Sequence, residues 1–540
     1  MARVPETAPL RPGDSRSPDI PSPETTVYCI HGADPEVQAY GMARYSRSAL
    51  SMKESLSELN QQKAEQFLNT FYFQYGHRSI ADLAHVTTAI ERLSLLAAIA
   101  VVDEQRWDGQ ERSTRYQDFR QSGYYVPEFP AGPGAELYRR TAVFLFSEYE
   151  QFSEFMFDYL AARTPRPREM KPEAYERALR ARAFDLDRYL LPLATNTSLG
   201  QIVNARTLET QIARLLAHTH PEVRRLGAKL KEAARGSAYN VNQESWRALA
   251  EAIGAKDKGL GNLAKRQLLR ETPVCPTLVK YAEASAYETE TRRELRQAAA
   301  ELMGNEPIAA APSVTLLEPE PLETELATTL LYQHCHFPYE QVRRRVEALS
   351  PGQRDEIVAL GARHRGDHDE LLRPFCAGQS FRFDILMDIG GYRDLHRHRR
   401  CTQFAQEFTT IHGFEMPEEI AAADLGGRFT QAMEHAESAA STLTTALEGQ
   451  SATPARPRPA GEVVAEAQYL IPLAFRKRAL FKMDFAEAVY IAELRTSPAG
   501  HRSYRNIAWQ MYEAVARRHP SLGRYFRVHD VRQPVDLLQR

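Results

Sequence analysis

The sequence predicts an α/β (α+β) protein built as two diverged copies of one fold, each helix-rich with a mixed sheet. Three observations carry this. The chain has 540 residues, room for roughly two to four domains. Its parts 25–300 and 313–540 repeat one order of features: a short strand and helix, a charged motif, then an L/I-P-L segment entering a helix. The spacing behind that segment agrees, with 23 residues from Leu191 to Arg214 and 24 from Ile471 to Arg495. A second arginine follows ten residues later in both parts, as Arg224 and Arg505. Upstream the match is looser, 86 residues from Gln105 to Leu191 against 72 from Arg399 to Ile471. Such a pattern is a diverged duplication and not a short-period solenoid.

Taken in order, residues 1–24 are rich in Pro, Ser and charge and read as a disordered tail. TTVYCI (25–30) is β-branched and aromatic, and predicts a strand. QQKAEQFLNTFYFQYG and IERLSLLAAIAVVDE place apolar residues three and four apart and predict helices. Residues 136–165 and 172–194 and the stretch LETQIARLLAHTHPEVRRLGAKLKEAARG continue the helical pattern. GNEPIAAAPS (304–313) predicts an interdomain break, which bounds a first domain at 300 and opens a second at 313, with 301–312 as linker. SVTLLEPEP then predicts a strand and ELATTLLYQHCH a helix.

Lys and Arg number 68 against 70 Asp and Glu, so bulk charge argues against nucleic acid as a partner. The five cysteines (Cys29, Cys275, Cys335, Cys376, Cys401) form no C-x-x-C pair. They suggest neither a disulfide framework nor a zinc site and point to a reducing cytoplasm. No apolar window reaches a membrane-spanning length of about 18 residues, and no signal peptide is evident. Metal binding is not expected. His396 and His398 are two apart and share no helix face, and H-C-H at 334–336 reads as a packed helical patch.

The chemistry concentrates in two stretches, DEQRWDGQERSTRY (103–116) and GYRDLHRHRRCTQFAQEFTT (391–410). Read alone, the first is a solvated helix end with a turn at Gly109, and the second a basic surface patch. Ser113 has no G-x-S-x-G context and is not read as a nucleophile. Together, however, they resemble the flavin-dependent thymidylate synthases, whose signature is R-H-R-x-x-S-x-N-E-x-S-x-R-Y. Glu111, Ser113, Arg115 and Tyr116 match its second half, while Asp103, Glu104 and Gln105 stand at R-H-R and Asp108 at the first Ser. Arg397, His398 and Arg399 match the first half, with Thr402 for the Ser, but Phe404, Ala405, Glu407, Thr409 and Thr410 replace the rest. Each copy keeps the half that the other has lost. ARYSRSALS, YGHRSIADLAH and LPLATNTSLGQIVNAR also resemble family segments in family order.

The resemblance implies a composite site that methylates dUMP reductively to dTMP with FAD, NADPH and methylenetetrahydrofolate. It implies Glu111, Ser113, Arg115, Arg188 and Arg214 as substrate-binding residues, with Glu111, Ser113, Arg214 and Arg397 as the catalytic set. His77, Asn204, Arg206, Arg397, His398 and Arg399 would contact FAD. The Arg188 position is Gln468 in the second copy, so phosphate binding is expected on one side only. Asp103 and Glu104 would oppose an anionic flavin, so the first copy's own flavin locus is expected to be dead or rebuilt. The family tetramer implies a homodimer of this chain. A flavoenzyme acting on another pyrimidine nucleotide, or a non-catalytic nucleotide- or flavin-binding homologue, remain open alternatives.

Overall fold

The computed structural model describes residues 32–44, 61–68, 78–129, 132–304, 306–366, 371–379, 381–448 and 463–538. The TTVYCI strand, the tail and His77 lie outside them. Two sheets organise the described chain. The first runs β1 (His85–Ser94), β3 (Asn196–Asn204), β2 (Asp108–Glu111). The second runs β4 (Val314–Leu316), β5 (Phe381–Asp388), β7 (Arg476–Met483), β6 (Thr402–Ala405). Apart from the additional β4, the sheets share one order, with the third strand of each copy lying between its first two.

The expectation of a mixed sheet gives way here, because every pairing of the named strands is antiparallel. IERLSLLAAIAVVDE is also not one helix. Ile90–Ser94 finishes β1, and the helix covers only Leu95–Val102. Ser94 decides the boundary: its backbone is extended and its hydroxyl accepts from the Ala97 N–H, an N-cap that competes with strand continuation. Asp388 does the same between β5 and the helix Ile389–Leu395, accepting from the Gly391 N–H. Helices at Ala205–Leu216 and Pro221–Arg235 replace the long helical stretch, broken at the H-T-H-P turn where proline can only start a new helix.

The copies meet at their L-P-L segments. Pro192 and Pro472 face one another in an antiparallel bridge. Around it the bonds are reciprocal: Leu193 N–H to the Ile471 carbonyl and Leu473 N–H to the Leu191 carbonyl, both 3.0 Å. Ala194 bonds the Tyr469 carbonyl at 2.8 Å, and Ala474 that of Tyr189 at 3.2 Å. His220 meets Tyr469 edge-on at 5.6 Å, and His501 meets Tyr189 at 5.4 Å. This is a local pseudo-two-fold axis, and it is buried: Leu190, Leu191, Leu193, Leu470, Ile471 and Leu473 are fully enclosed. One core runs through both copies. The long helices Pro133–Arg163 and Gly426–Glu448 join it by contacts such as Phe152 with Phe429. The expected break at 304–313 follows the helix Ala286–Met303. That helix lies sequentially with the first copy, yet packs Leu295, Ala299 and Met303 against Ala327, Leu330 and Val342 of the second.

Candidate functional site

The short helix Ile389–Leu395 carries Arg393 and Asp394 in its last turn, and the motif Arg397-His398-Arg399 follows after the C-cap His396. Across the pseudo-axis, β2 ends at Glu111 and turns through Ser113 to Tyr116, the Ser113 hydroxyl accepting from the Arg115 N–H at 3.2 Å. The two half-motifs interlock. Arg393 donates to the Glu111 carboxylate and, at 3.3 Å, to the Thr114 hydroxyl. Arg399 reaches Asp108 at 2.5 Å, and the pseudo-symmetric Gln105 reaches Thr402 at 3.5 Å.

Behind this seam stands a buried arginine cluster. Arg115 grips both oxygens of Asp185, at 2.6 and 3.2 Å, and donates to the Tyr504 hydroxyl and the Ala499 carbonyl. Arg188 is only 1% exposed. Its Nη1 donates to Asp394 at 3.2 Å, while its Nε and Nη2 are buried without hydrogen-bond partners among the described residues. Gly390 lies against this guanidinium, where a Cβ would come within 3.4 Å of Cζ and Nε. Burial alone would push the Asp394 carboxyl up, but Arg188, Arg115, Arg397 and Arg495 together hold it well below the usual carboxylate range. Arg397 is half-buried and has no hydrogen bond or ion pair among the described residues. Arg495 donates through Nε to His398 Nε2 at 2.8 Å, and His398 Nδ1 lies 3.3 Å from Glu487. This network assigns a neutral, Nδ1-protonated imidazole, consistent with burial lowering its pKa. His501 is also held neutral, at about 3, by burial and then by Arg188. Arg115, Arg188, Arg393, Arg397 and Arg495 therefore meet four carboxylates, Asp185, Asp394, Glu111 and, behind His398, Glu487, while burial raises the carboxyl of Asp388 near Arg188; positive charge remains in excess.

The pseudo-equivalent place on the other side of the axis is self-neutralised. Arg214, the counterpart of Arg495 in the repeat, closes through Nε on Glu104 at 2.8 Å and donates to the Ala100 carbonyl. Arg373 pairs with the Asp103 carboxylate at 2.5 Å and its carbonyl at 2.9 Å. Burial would raise the Asp103 carboxyl, and Arg373, His396 and Arg214 more than reverse it. For Glu104 burial wins and its pKa is raised.

The structure thus brings together Glu111, Ser113, Arg115, Arg188 and Arg397 from the expected set, with His398 beside them and Arg399 at the seam. Arg214, expected at the substrate, is held by Glu104, and its repeat counterpart Arg495 stands at the arginine cluster. Asn204 caps the helix Ala205–Leu216 by accepting from Thr207, and Arg206 reaches Asp82 at 3.4 Å. These two sit at the far end of β3, and the structure does not join them to the cluster. Arg393, Asp394, Asp185 and Tyr504 were missed. Only Arg393 and Asp394 carried a signal, as a charged pair just ahead of R-H-R.

The fold and this cluster define a protein of duplicated architecture in which both copies contribute to one buried arginine cluster. The chain belongs to the thymidylate synthase complementing protein family, the flavin-dependent thymidylate synthases, whose family model matches residues 29–238 and 372–521. A UPF0159 protein of Chlamydia pneumoniae is 27% identical over 552 residues, covering 93% of this chain and 92% of the relative. A UPF0159 protein of Thermoplasma acidophilum is 26% identical over 523 residues, covering 89% and 93%. Among solved structures, a UMP/dUMP methylase, PolB, from Streptomyces cacaoi aligns over 38% of this chain and 87% of its own, with 16% identity and TM-score 0.28. The flavin-dependent thymidylate synthase of Helicobacter pylori, complexed with FAD and dUMP, aligns over 38% and 91%, with 16% identity and TM-score 0.23. Among the described residues no helix is long and apolar enough to cross a membrane, and no cluster of metal-ligating side chains occurs.

Proposed function

We propose that this chain is a flavin-dependent methylase of a pyrimidine nucleotide, with dUMP as substrate and dTMP as product, working from one composite site per chain. The observation that carries this reading is the convergence of Glu111, Arg115 and Arg188 of the first copy with Arg393, Arg397 and Arg495 of the second. A nucleoside monophosphate brings about two negative charges, and guanidinium forks match its oxygens. The unpartnered Arg188 Nε and Nη2, the unpartnered Arg393 Nε and the Arg397 side chain fit such a group. Buried donors of this kind are costly unless something accepts from them.

Arg115 and Arg188 would hold the phosphate, each pre-aimed by its own carboxylate, Asp185 or Asp394. Ser113 would add a hydroxyl. Glu111, fixed by Arg393, would orient the base. Arg397 would stand beside the flavin ring and the reacting pyrimidine, with His398 holding Arg495 in place. Bound FAD, reduced by NADPH, supplies the redox chemistry by which a one-carbon unit from methylenetetrahydrofolate becomes the methyl group. The residues fit an anionic ring near Arg397. Asn204, Arg206 and Arg399 are engaged in exposed or half-exposed contacts that a cofactor could exchange at small cost. Duplication within the chain favours a homodimer as the counterpart of the family tetramer. Another pyrimidine nucleotide is the second reading, because half of each motif has changed and Asp394 puts a carboxylate amid the phosphate arginines.

The test is direct. Purified protein should be yellow and its melting temperature should rise with dUMP more than with UMP or dCMP. The gene should also rescue a thymidine-requiring bacterium. Colourless protein that takes up no FAD would end the enzymatic reading, and a larger response to UMP would move it to the second.

A further inference from the structure

We propose that Lys477 marks a second ligand site, outside the arginine cluster, that takes a small oxyanion of the phosphate type. Lys477 lies on β7 and is 4% exposed. Its ammonium donates to the Gln406 carbonyl and rests on the Phe408 ring, 3.8 Å from the centroid, with Tyr392 at 5.5 Å. Among the described residues no carboxylate pairs with it, and the acidic group whose charge acts on it, Asp103, is already claimed by Arg373. A buried ammonium without a counter-ion is costly, and burial accordingly brings its pKa down to about 7.

The surroundings point the same way. The His396 ring stacks on Tyr392 at 5.0 Å, the His336 and His412 rings meet at 6.1 Å, and the charge of Lys477 acts on all three. His336 Nδ1, His396 Nε2, His412 Nε2 and Gln406 Oε1 are all buried without hydrogen-bond partners among the described residues. His336, His396 and Gln406 are 4%, 7% and 1% exposed, so bulk water does not serve them. His396 Nε2 stands 3.7 Å from Asp103, beyond hydrogen-bond reach. Unsatisfied buried polar atoms in one neighbourhood call for an occupant. Water could satisfy the imidazoles but would leave the ammonium uncompensated. A hydrogen phosphate accepts from the ammonium and from imidazole N–H groups of His336 and His412, and its own hydroxyl can donate to Gln406 Oε1 or to His396 Nε2, an acceptor because His396 Nδ1 donates to Gln403 Oε1 at 2.9 Å. The first copy has Thr197 at the position of Lys477, also buried, so this device exists once per chain.

Inorganic phosphate, titrated at constant ionic strength into the full chain while melting temperature is followed, tests the proposal. The expected result is a saturable rise in wild type and in Arg397→Ala, at least tenfold weaker in Lys477→Met and restored in Lys477→Arg. An equal response in Lys477→Met and wild type would overturn it. Should Lys477→Met fail to fold, His412→Ala at a half-buried position carries the test: several-fold weaker phosphate binding supports the site, and unchanged binding overturns it. A parallel titration with dUMP separates the sources of phosphate. Loss of the dUMP response in Lys477→Met but not in Arg397→Ala would assign the site to the phosphate of a larger ligand. A phosphate response without any dUMP response would remove the proposed function and leave this site standing.

Discussion

On one side of the pseudo-two-fold, Arg495 closes on a neutral histidine, His398; on the other, Arg214 closes on a carboxylate, Glu104. Both bonds are made by Nε at 2.8 Å, so the backbone frame is shared and only the partner differs. The neutral partner leaves positive charge over, and the acidic partner consumes it. Arg397 stands unpaired where the first copy has Asp103, which is itself bound by Arg373. A duplicated scaffold thus supports one site with surplus positive charge and one that is closed by its own ion pairs. The motif acids at 103 and 104 are engaged in internal salt bridges, Asp103 with Arg373 and Glu104 with Arg214.

The same inversion appears at the helix caps. Ser94 donates to Glu222 at 2.6 Å in the first copy, and Ser503 donates to Asp388 in the second. Acid and hydroxyl have exchanged places, yet each pair still satisfies a helix start next to the axis. Complementary change of this kind keeps buried polar groups paired while sequence identity drifts.

The largest effect that would sharpen the comparison is on ligand binding. Arg397→Ala should remove FAD retention and weaken dUMP by tenfold or more with little change in melting temperature, whereas Glu104→Gln should leave both ligands unaffected. Absorbance and calorimetric titration measure this, and comparable losses in the two variants would erase the distinction between the sites. Next comes stability. Asp394→Ala leaves several guanidinium groups without their shared counter-charge, and should cost about 3–5 kcal/mol in denaturant unfolding, as for other broken buried pairs.

The pH response should differ in sign between the two sides. Asp394 has a folded-state pKa below its unfolded value of about 3.9, so its contribution is present above that pH and is lost as pH falls through and below it. Glu104 has a raised folded-state pKa, so its ionisation penalises the fold as pH rises from about 4.3 through that raised value. Urea midpoints between pH 3 and 7 should therefore show Asp394→Asn flattening the acid loss, while Glu104→Gln removes a penalty seen only at higher pH. Parallel curves for both variants would contradict this. The smallest effect belongs to the seam pair. Arg399–Asp108 is exposed, with side chains 38% and 76% accessible, and Arg399→Ala should change stability by less than about 0.5 kcal/mol.

The duplication was legible because its markers are local and periodic. The L-P-L segments, the spaced arginines and the divided motif are fixed by chain order, and Glu111, Arg115 and Arg397 could be singled out from them. Elsewhere local pattern misled. IERLS has helical spacing, but pairing with β3 and the Ser94 cap make it strand. Arg214 carried the spacing of a substrate arginine, and its contact with Glu104 from another element could not be read from that spacing.

The sequence by itself thus determined that there are two copies and that each retains half of a motif, since residue identity and order suffice for that. The tertiary structure decided which halves meet, because the partners of a buried charge are chosen by packing across the pseudo-axis. Asp394, Asp185 and Lys477 are ordinary residues in the string. They become consequential only where the fold removes water and forces each charge to find, or to lack, a counter-charge.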